Sequence, residues 1–486
     1  MPEMPDWLNS MAAIVGPKGF TRTAEDMEPW LTDWRGRYTG KALALISPAS
    51  TKEVSAIVKI ANAHAVSLVP QGGNSGMVGG ATPDGNGRSI LLSLRRMNHI
   101  HSIAPDDQVA ICDAGVILQN FHEALDEHGV RFPLTLGGKG SATIGGLVST
   151  NAGGTQVLRH GTMRALVAGL EAVLPDGSIY NGLSALKKDN RGYDLKQLLI
   201  GGEGTLGIVT AATLKIVPAL VDRCVAWAGV VSPNAAYELF KFLNARENQS
   251  LEGFEIVPKS CLDAVLKHIP DTRPPLTNNA PWNILIEIVR DRSAAPDPRE
   301  LIEALLAEAL EKGLISDAAI ASNESQAEAF WKIRDSISEA ERANGPALQH
   351  DISVPVAKMA NFISEAGSKI EKAFPGTKVA AFGHMGDGNV HLHVIAPAEV
   401  RAMSGGMQWM SQSSQTISPM VHDLVVAVGG SISAEHGIGQ NKRDELQRLS
   451  DDARIFTLRA IKSAIDPKNI MNPGKLVPLA SSSPAT

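Results

Sequence analysis

Near the C-terminus the sequence reads His384-Met385-Gly386-Asp387-Gly388-Asn389-Val390-His391, and about forty residues later Ala434-Glu435-His436-Gly437. Together these segments supply what a catalytic metal site needs: two imidazoles, a carboxylate, and a further histidine to act as a base. The flanks of the first segment, Val379 to Phe382 and Val390 to Ile395, have strand character, and Gly386-Asp387-Gly388-Asn389 has turn chemistry. On an unbroken strand, residues seven apart point to opposite faces. A turn between them reverses the chain, so His384 and His391 can converge on one point. Glu435 then offers a third ligand and leaves a position open for water or substrate. The plain alternative is a polar hairpin whose histidines are satisfied in a core. One histidine alone would favour that reading; the whole constellation favours the metal.

Such a site needs a scaffold, and 486 residues are enough for two or three domains. Composition is that of a globular protein, 44% hydrophobic and 20% charged, and the net charge of −6 gives no reason to expect nucleic acid. Cys112, Cys224 and Cys261 are scattered and read as reduced, buried thiols of a cytosolic protein. No secretory signal and no apolar run of about 18 residues is visible, so no membrane span is expected. A cytoplasmic location follows, or an organelle matrix if the chain is processed. The tail after Leu479 is expected to fray.

Residues 41–70 read as a βαβ unit: a strand at Leu43 to Ile46, a capping box Ser50-Thr51-Lys52-Glu53, a helix with Val54, Ile57, Val58 and Ala61 on one face, and a strand at Val66 to Val69. That strand runs into the first glycine cluster, Pro70-Gln71-Gly72-Gly73-Asn74-Ser75-Gly76. A second spans Gly137 to Gly154 and a third is Gly201-Gly202-Glu203-Gly204-Thr205-Leu206-Gly207. The third fits Gly-x-Gly-x-x-Gly, but Ile208-Val209-Thr210 is strand-like where a dinucleotide fold needs a helix, so the Rossmann reading is rejected. Converging glycine loops would still bring backbone N–H groups close to a long anionic ligand. Tight turns in a β-rich domain would explain any one cluster.

After Pro218 the glycine clusters stop. Strands and helices alternate, with Pro-rich connections at 270–281 and 294–298. The segment from Glu435 to about Ile465 reads as helical. These shifts divide the chain at 1–219, 220–433 and 434–486.

In these motifs the sequence resembles flavoproteins of the vanillyl-alcohol oxidase/p-cresol methylhydroxylase superfamily. The nearer likeness is to the branch holding D-lactate dehydrogenases, glycolate oxidase large subunits and D-2-hydroxyglutarate dehydrogenases. The carriers are Pro70 to Gly76, Gly145 to Gly154, Gly201 to Gly207, the histidine hairpin, Glu435 to Gly439 and Asn472-Pro473-Gly474-Lys475. The resemblance implies an α+β fold: a two-subdomain FAD-binding domain of the p-cresol methylhydroxylase type, an α+β substrate (cap) domain, and a C-terminal segment returning to the FAD domain. It implies FAD contacts at Pro70, Gly72, Gly73, Asn74, Ser75, Gly76, Gly138, Ser141, Gly145, Asn151, Gly204, Ile208 and Asn472. Relatives with covalent flavin often carry His at the place of Asn74, so FAD is expected to be non-covalent.

The resemblance also implies that His384, His391 and Glu435 bind a divalent metal, zinc first with manganese or cobalt as alternatives, and that His436 is the base. Oxidising a 2-hydroxy acid requires loss of a hydroxyl proton that is hard to remove near neutrality, and a divalent ion lowers that barrier. Ser325 to Glu328 reads as another capping box. Arg334 and Ser338, four apart on the helix that follows, would share a face and hold a substrate carboxylate; pairing of Arg334 with Asp335 or Glu339 is the alternative. Gln349 and His393 would line the substrate, but here the chain departs from hydroxyglutarate enzymes, which tend to carry Lys and Asn at these places: part of a distal-carboxylate clamp is lost unless His350 or His393 replaces it. D-2-hydroxyglutarate leads by the resemblance, with D-lactate, D-malate or another D-2-hydroxy acid open. Electrons would leave to electron-transfer flavoprotein, a quinone or oxygen, in that order, and a homodimer is open. A metal-dependent hydrolase would leave the glycine clusters without a purpose, and a non-catalytic flavin module would leave the paired imidazoles without one.

Overall fold

The structure, a computed structural model, describes residues 4–247, 249–291, 296–401 and 406–478. The tail after Leu479 and residues 294–295 of the second Pro-rich connection lie outside the described residues. Two units are distinguished: residues 1–154, 160–219 and 435–486 form the first, and residues 155–159 and 220–434 the second.

In the first unit, Ser50 accepts from the Glu53 amide at 3.3 Å while the Glu53 carboxylate accepts from the Ala49 amide at 2.8 Å. The expected cap thus forms, and it starts the helix Thr51–Ala63. Val54, Ile57, Val58 and Ala61 all face the core. The strands Ala44–Ile46 and Leu68–Gln71 on either side of this helix both pair in parallel with Ile90–Ser93. A second sheet is antiparallel, in the order Ile100–Ala104, Val109–Asp113, Ile208–Lys215, Val167–Val173, Ile179–Gly182. The residues after the third glycine cluster are therefore a strand, as Ile208-Val209-Thr210 indicated. Each sheet has its own core, which gives the unit two subdomains.

The last segment corrects the expectation of a helix from Glu435. Residues 435–442 are a loop, with Gly437 and Gly439 at positive φ, and helices occupy only Arg443–Leu449 and Asp452–Ile465. Buried Lys462 pins this segment through Asp466 Oδ2 at 2.6 Å and the carbonyls of Thr205 and Met471 at 2.8 Å. Met471 then bridges Leu68 in parallel.

The second unit is one seven-stranded antiparallel sheet, in the order Asp317–Ile320, Asp222–Val230, Trp282–Arg290, Leu251–Pro258, Lys378–His384, Asn389–Ile395, Ala347–Ser353. Helices Pro233–Glu247, Pro298–Glu311, Val356–Ala373 and Gly406–Ala427 cover one face. Lys259–His268, Glu324–Asp335 and Ile337–Asn344 cover the other. With both faces covered, strands such as Trp282–Arg290 read as nearly continuous apolar runs. The helix Glu324–Asp335 is capped by Asn323, whose side chain accepts from the Gln326 amide at 3.0 Å, and not by Ser325 with Glu328. Gln326 completes the box by accepting from the Ser322 amide. Among the described residues no helix is long and apolar enough to cross a membrane.

Candidate active site

The three glycine clusters converge within the first unit. Gly73 lies so close to the second cluster that a Cβ there would fall 1.6 Å from the Ser141 carbonyl. Only glycine fits. Gly72 faces Thr143, Gly138 faces Ser75, and Gly204 faces Pro70. Gly145 sits in the helix Ile144–Thr150, Asn151 caps that helix in the left-handed conformation, and Ile208 begins its strand. Asn472 joins the group by donating to the Gly80 and Glu203 carbonyls at 2.9 and 2.7 Å. Thr143 Oγ1, Gln71 Oε1 and Asn472 Oδ1 are buried without a hydrogen-bond partner among the described residues. Orphaned polar atoms on converging loops fit a polar, extended cofactor. Asn74, at φ 52°, donates to the Thr32 carbonyl at 2.8 Å and accepts from Gln71 at 3.3 Å. Its amide has no nucleophile with which to attach a flavin. Ser75 and Gly76 complete this first loop.

The second unit builds the histidine site on one sheet face. His384 pairs in register with Asn389, and His391 with Phe382, so the two histidines are diagonal neighbours across a hairpin. Their ring centroids are 5.7 Å apart. The turn closes through the Gly388 amide, which donates to the His384 carbonyl at 3.1 Å. His384 Nδ1 meets Glu255 Oε1 at 2.5 Å, on the adjacent strand. A carboxylate on Nδ1 fixes the tautomer and turns Nε2 outward with its lone pair, the arrangement of metal-ligating histidines. Burial keeps His391 deprotonated, holding its pKa well below the usual imidazole value against the nearby Asp351 carboxylate. A neutral imidazole is the ligand form. The donor set fits a divalent ion.

Arg334 and Ser338 do not share a face. The helix ends at Asp335, Ser336 interrupts, and a new helix begins at Ile337. Arg334 is buried and Ser338 exposed. Arg334 Nε donates to Glu255 Oε2 at 2.6 Å, a partner on a distant strand that the spacing along the helix did not indicate. Its guanidinium also stands 5.4 Å from the Phe382 ring centre. Burial alone would raise the Glu255 pKa, but His384 and Arg334 prevail and hold it well below the usual carboxylate range. His393 pairs in register with Gln349, on the same sheet face as His391, and its Nδ1 contacts buried Glu341.

A stability test follows. Glu255→Gln would remove the carboxylate from a buried ion pair with Arg334, at a cost of about 3–5 kcal/mol. Because the folded-state pKa of Glu255 lies below its unfolded value, its contribution is fully present above about pH 4.3 and lost as pH falls through the folded value. Thermal melts should therefore show the gap between wild type and variant narrowing only in acid. A constant gap would contradict this role.

Glu435 and His436 follow Ala434 directly, at the start of the segment assigned to the first unit. Three residues before Ala434, Ser431 exchanges backbone hydrogen bonds with Ser353 at 2.8 and 3.0 Å, and Ser353 pairs with Asn389 of the hairpin. The second unit thus ends beside the hairpin strands. Beyond His436, the Ile438 and Gly439 amides donate to the Glu203 carboxylate at 2.8 and 2.7 Å. Burial pushes the Glu203 pKa up, and these amides pull against it.

Sequence reasoning missed Glu203, Glu255 and Glu341 as organising carboxylates. A signal existed for Glu255. It is an acid inside Leu251–Pro258, a strand buried on both faces, where any charge must be paired.

Two family models match the chain. Residues 42–182 match the FAD binding domain, and residues 221–476 match the FAD linked oxidases, C-terminal domain. The chain is 37% identical over 465 residues to the mitochondrial D-2-hydroxyglutarate dehydrogenase of Arabidopsis thaliana, covering 96% of this chain and 80% of that protein. It is 34% identical over 461 residues to a putative mitochondrial D-lactate dehydrogenase of Schizosaccharomyces pombe, covering 93% and 85%. Substrate-bound p-cresol methylhydroxylase shares the fold, with a TM-score of 0.75 at 15% identity, covering 99% of each chain. The two sheets and converging loops of the first unit, and the seven-stranded sheet of the second, are those of a FAD-dependent oxidoreductase, and the chain belongs to the FAD-linked oxidases, the flavoprotein family that includes the D-2-hydroxyglutarate dehydrogenases.

Proposed function

We propose that this enzyme oxidises a D-2-hydroxy acid, D-2-hydroxyglutarate foremost, to the 2-oxo acid, with FAD held non-covalently and one divalent ion on His384, His391 and Glu435. Zinc leads for the ion, ahead of manganese and cobalt. The observation that carries this reading is the diagonal His384/His391 pair, with Glu255 on His384 Nδ1 at 2.5 Å. Glu435 is four residues beyond Ser431, which is fixed beside the hairpin strands, and four residues extend at most roughly 14 Å.

When bound, the flavin supplies the acceptor for the α-hydrogen, and the divalent ion supplies a Lewis acid for the substrate hydroxyl. His436 takes the hydroxyl proton. Arg334 offers a planar cation to a substrate carboxylate, and Glu255 orients it. His393, held by Glu341, and Gln349 beside it receive the far end of the substrate. Exposed Ser338 has no part in this proposal. Gln349 brings no cation to that end. This favours D-lactate, which has no distal carboxylate, as the second reading, and the Schizosaccharomyces pombe relative bears that name. Electron-transfer flavoprotein, then a quinone, then oxygen are the acceptors we assign. Buried thiols at Cys112, Cys224 and Cys261 fit a reducing cytosol or organelle matrix.

A screen of D-lactate, D-malate, D-2-hydroxyglutarate and their L-isomers tests the reading, with the highest kcat/KM expected for D-2-hydroxyglutarate and none for L-isomers. Turnover of L-isomers alone would reject it. Acid precipitation should release all flavin into the supernatant, because Asn74 offers no attachment atom. Yellow colour left on the pellet would overturn that part.

A further inference from the structure

The chain leaves the second glycine cluster at Gly154, contributes residues 155–159 to the second unit, and returns to the first at His160. These five residues are too few to form a core of their own, yet two of them are firmly held. Arg159 donates to Glu252 at 2.7 Å and to Asp291 at 3.0 Å, and its side chain is only 12% exposed. Glu252 is itself buried, in the strand that also carries Glu255. With Arg159 anchored, Leu158 packs against the main core of the second unit and under the histidine turn. A Cβ on Gly386 would lie 2.7 Å from Leu158 Cδ1, 3.0 Å from Cδ2 and 3.2 Å from Cγ, and Gly386 has an ordinary negative φ. No other heavy atom lies among the three nearest to that Cβ. An alanine at 386 would therefore press on the Leu158 side chain, and one of the two would have to give way.

We propose that Leu158 and Arg159 form a strut that positions the metal-bearing turn: Arg159 fixes the segment to the sheet, and Leu158 sets the path of Met385–Gly388 and with it the spacing of His384 and His391. Both are positioning residues. The inference rests on the metal reading for its functional consequence. A rigid turn holds two diagonal imidazoles at one separation, and small errors in ligand orientation are costly in affinity. The strut is continuous with a glycine loop, so the sequence places the device that aligns the ligands on the same stretch of chain as the cofactor loops.

The test is a double-mutant cycle on FAD-loaded protein, with the Zn²⁺ dissociation constant measured by chelator competition. Gly386→Ala should weaken Zn²⁺ binding roughly 10–100-fold, the scale of outer-shell changes. Leu158→Ala alone should also weaken binding, and in combination it should recover most of the Gly386→Ala loss, because the new methyl takes up space that the leucine vacates. Arg159→Ala should weaken binding without being rescued. Unchanged affinity in Gly386→Ala, or a loss that Leu158→Ala does not relieve, would overturn the strut. If wild type itself takes up no ion, the metal reading fails instead. The strut is then decided by ¹H–¹⁵N spectra of the His384 and His391 rings, which Gly386→Ala must shift and Leu158→Ala must restore.

Discussion

His436→Ala is expected to lower kcat by about 10²–10⁴-fold while leaving KM within a few-fold of wild type. A general base acts mainly in the transition state, so its loss is felt in turnover and little in substrate binding. The assignment draws on adjacency: His436 follows Glu435, the residue we assign as a metal ligand, in a loop whose next amides, Ile438 and Gly439, are held by Glu203. That carboxylate gives the loop a fixed path from two residues after His436. Stopped-flow reduction of the flavin checks the prediction, since it isolates the half-reaction with substrate. A variant whose flavin is reduced at the wild-type rate would remove His436 from the chemistry. A variant with unchanged kcat and a much higher KM would make it a binding residue.

His384→Ala should be nearly as damaging, costing roughly 10²-fold or more in turnover. Two effects combine. A ligand is lost, and the buried Glu255 carboxylate loses the imidazole that it contacts at 2.5 Å. The second effect predicts a drop in melting temperature that His391→Ala should not match, because His391 stands 3.9 Å from Asp351, beyond a direct hydrogen bond. Flavin content should be unchanged in both variants, since the glycine loops belong to the first unit. Added Zn²⁺ should not rescue either. Loss of flavin together with activity would mean that the substitution had disturbed the fold, and the comparison would then pass to His384→Gln.

The parts of this site that were legible in the sequence are those set by local chemistry. The Gly386-Asp387-Gly388-Asn389 turn had to reverse two strand-like segments, and it does, so the diagonal meeting of His384 and His391 was readable from spacing. The strand after Gly207 was readable from β-branched residues, which was enough to set aside a dinucleotide fold. Long-range pairing was not readable. Glu255 lies 79 residues from Arg334 and 129 from His384, and nothing in a linear pattern says that strand order brings the three together. The Arg334/Ser338 face failed for a local reason. A one-residue interruption at Ser336 separates two helices, and no proline or glycine marks the break. Residues 435–442 form a loop because Gly437 and Gly439 take positive φ, which two glycines so close together permit and the apolar pattern that follows conceals.

The most direct test of the account is anaerobic flavin reduction by D-2-hydroxyglutarate before and after removal of divalent metal with a chelator. The account predicts rapid bleaching of the untreated enzyme by the D-isomer and none by the L-isomer. Bleaching should be lost on chelation with FAD still bound, and restored by Zn²⁺, Mn²⁺ or Co²⁺. Bleaching that proceeds at the same rate in metal-free enzyme, or that no D-2-hydroxy acid elicits, would contradict it.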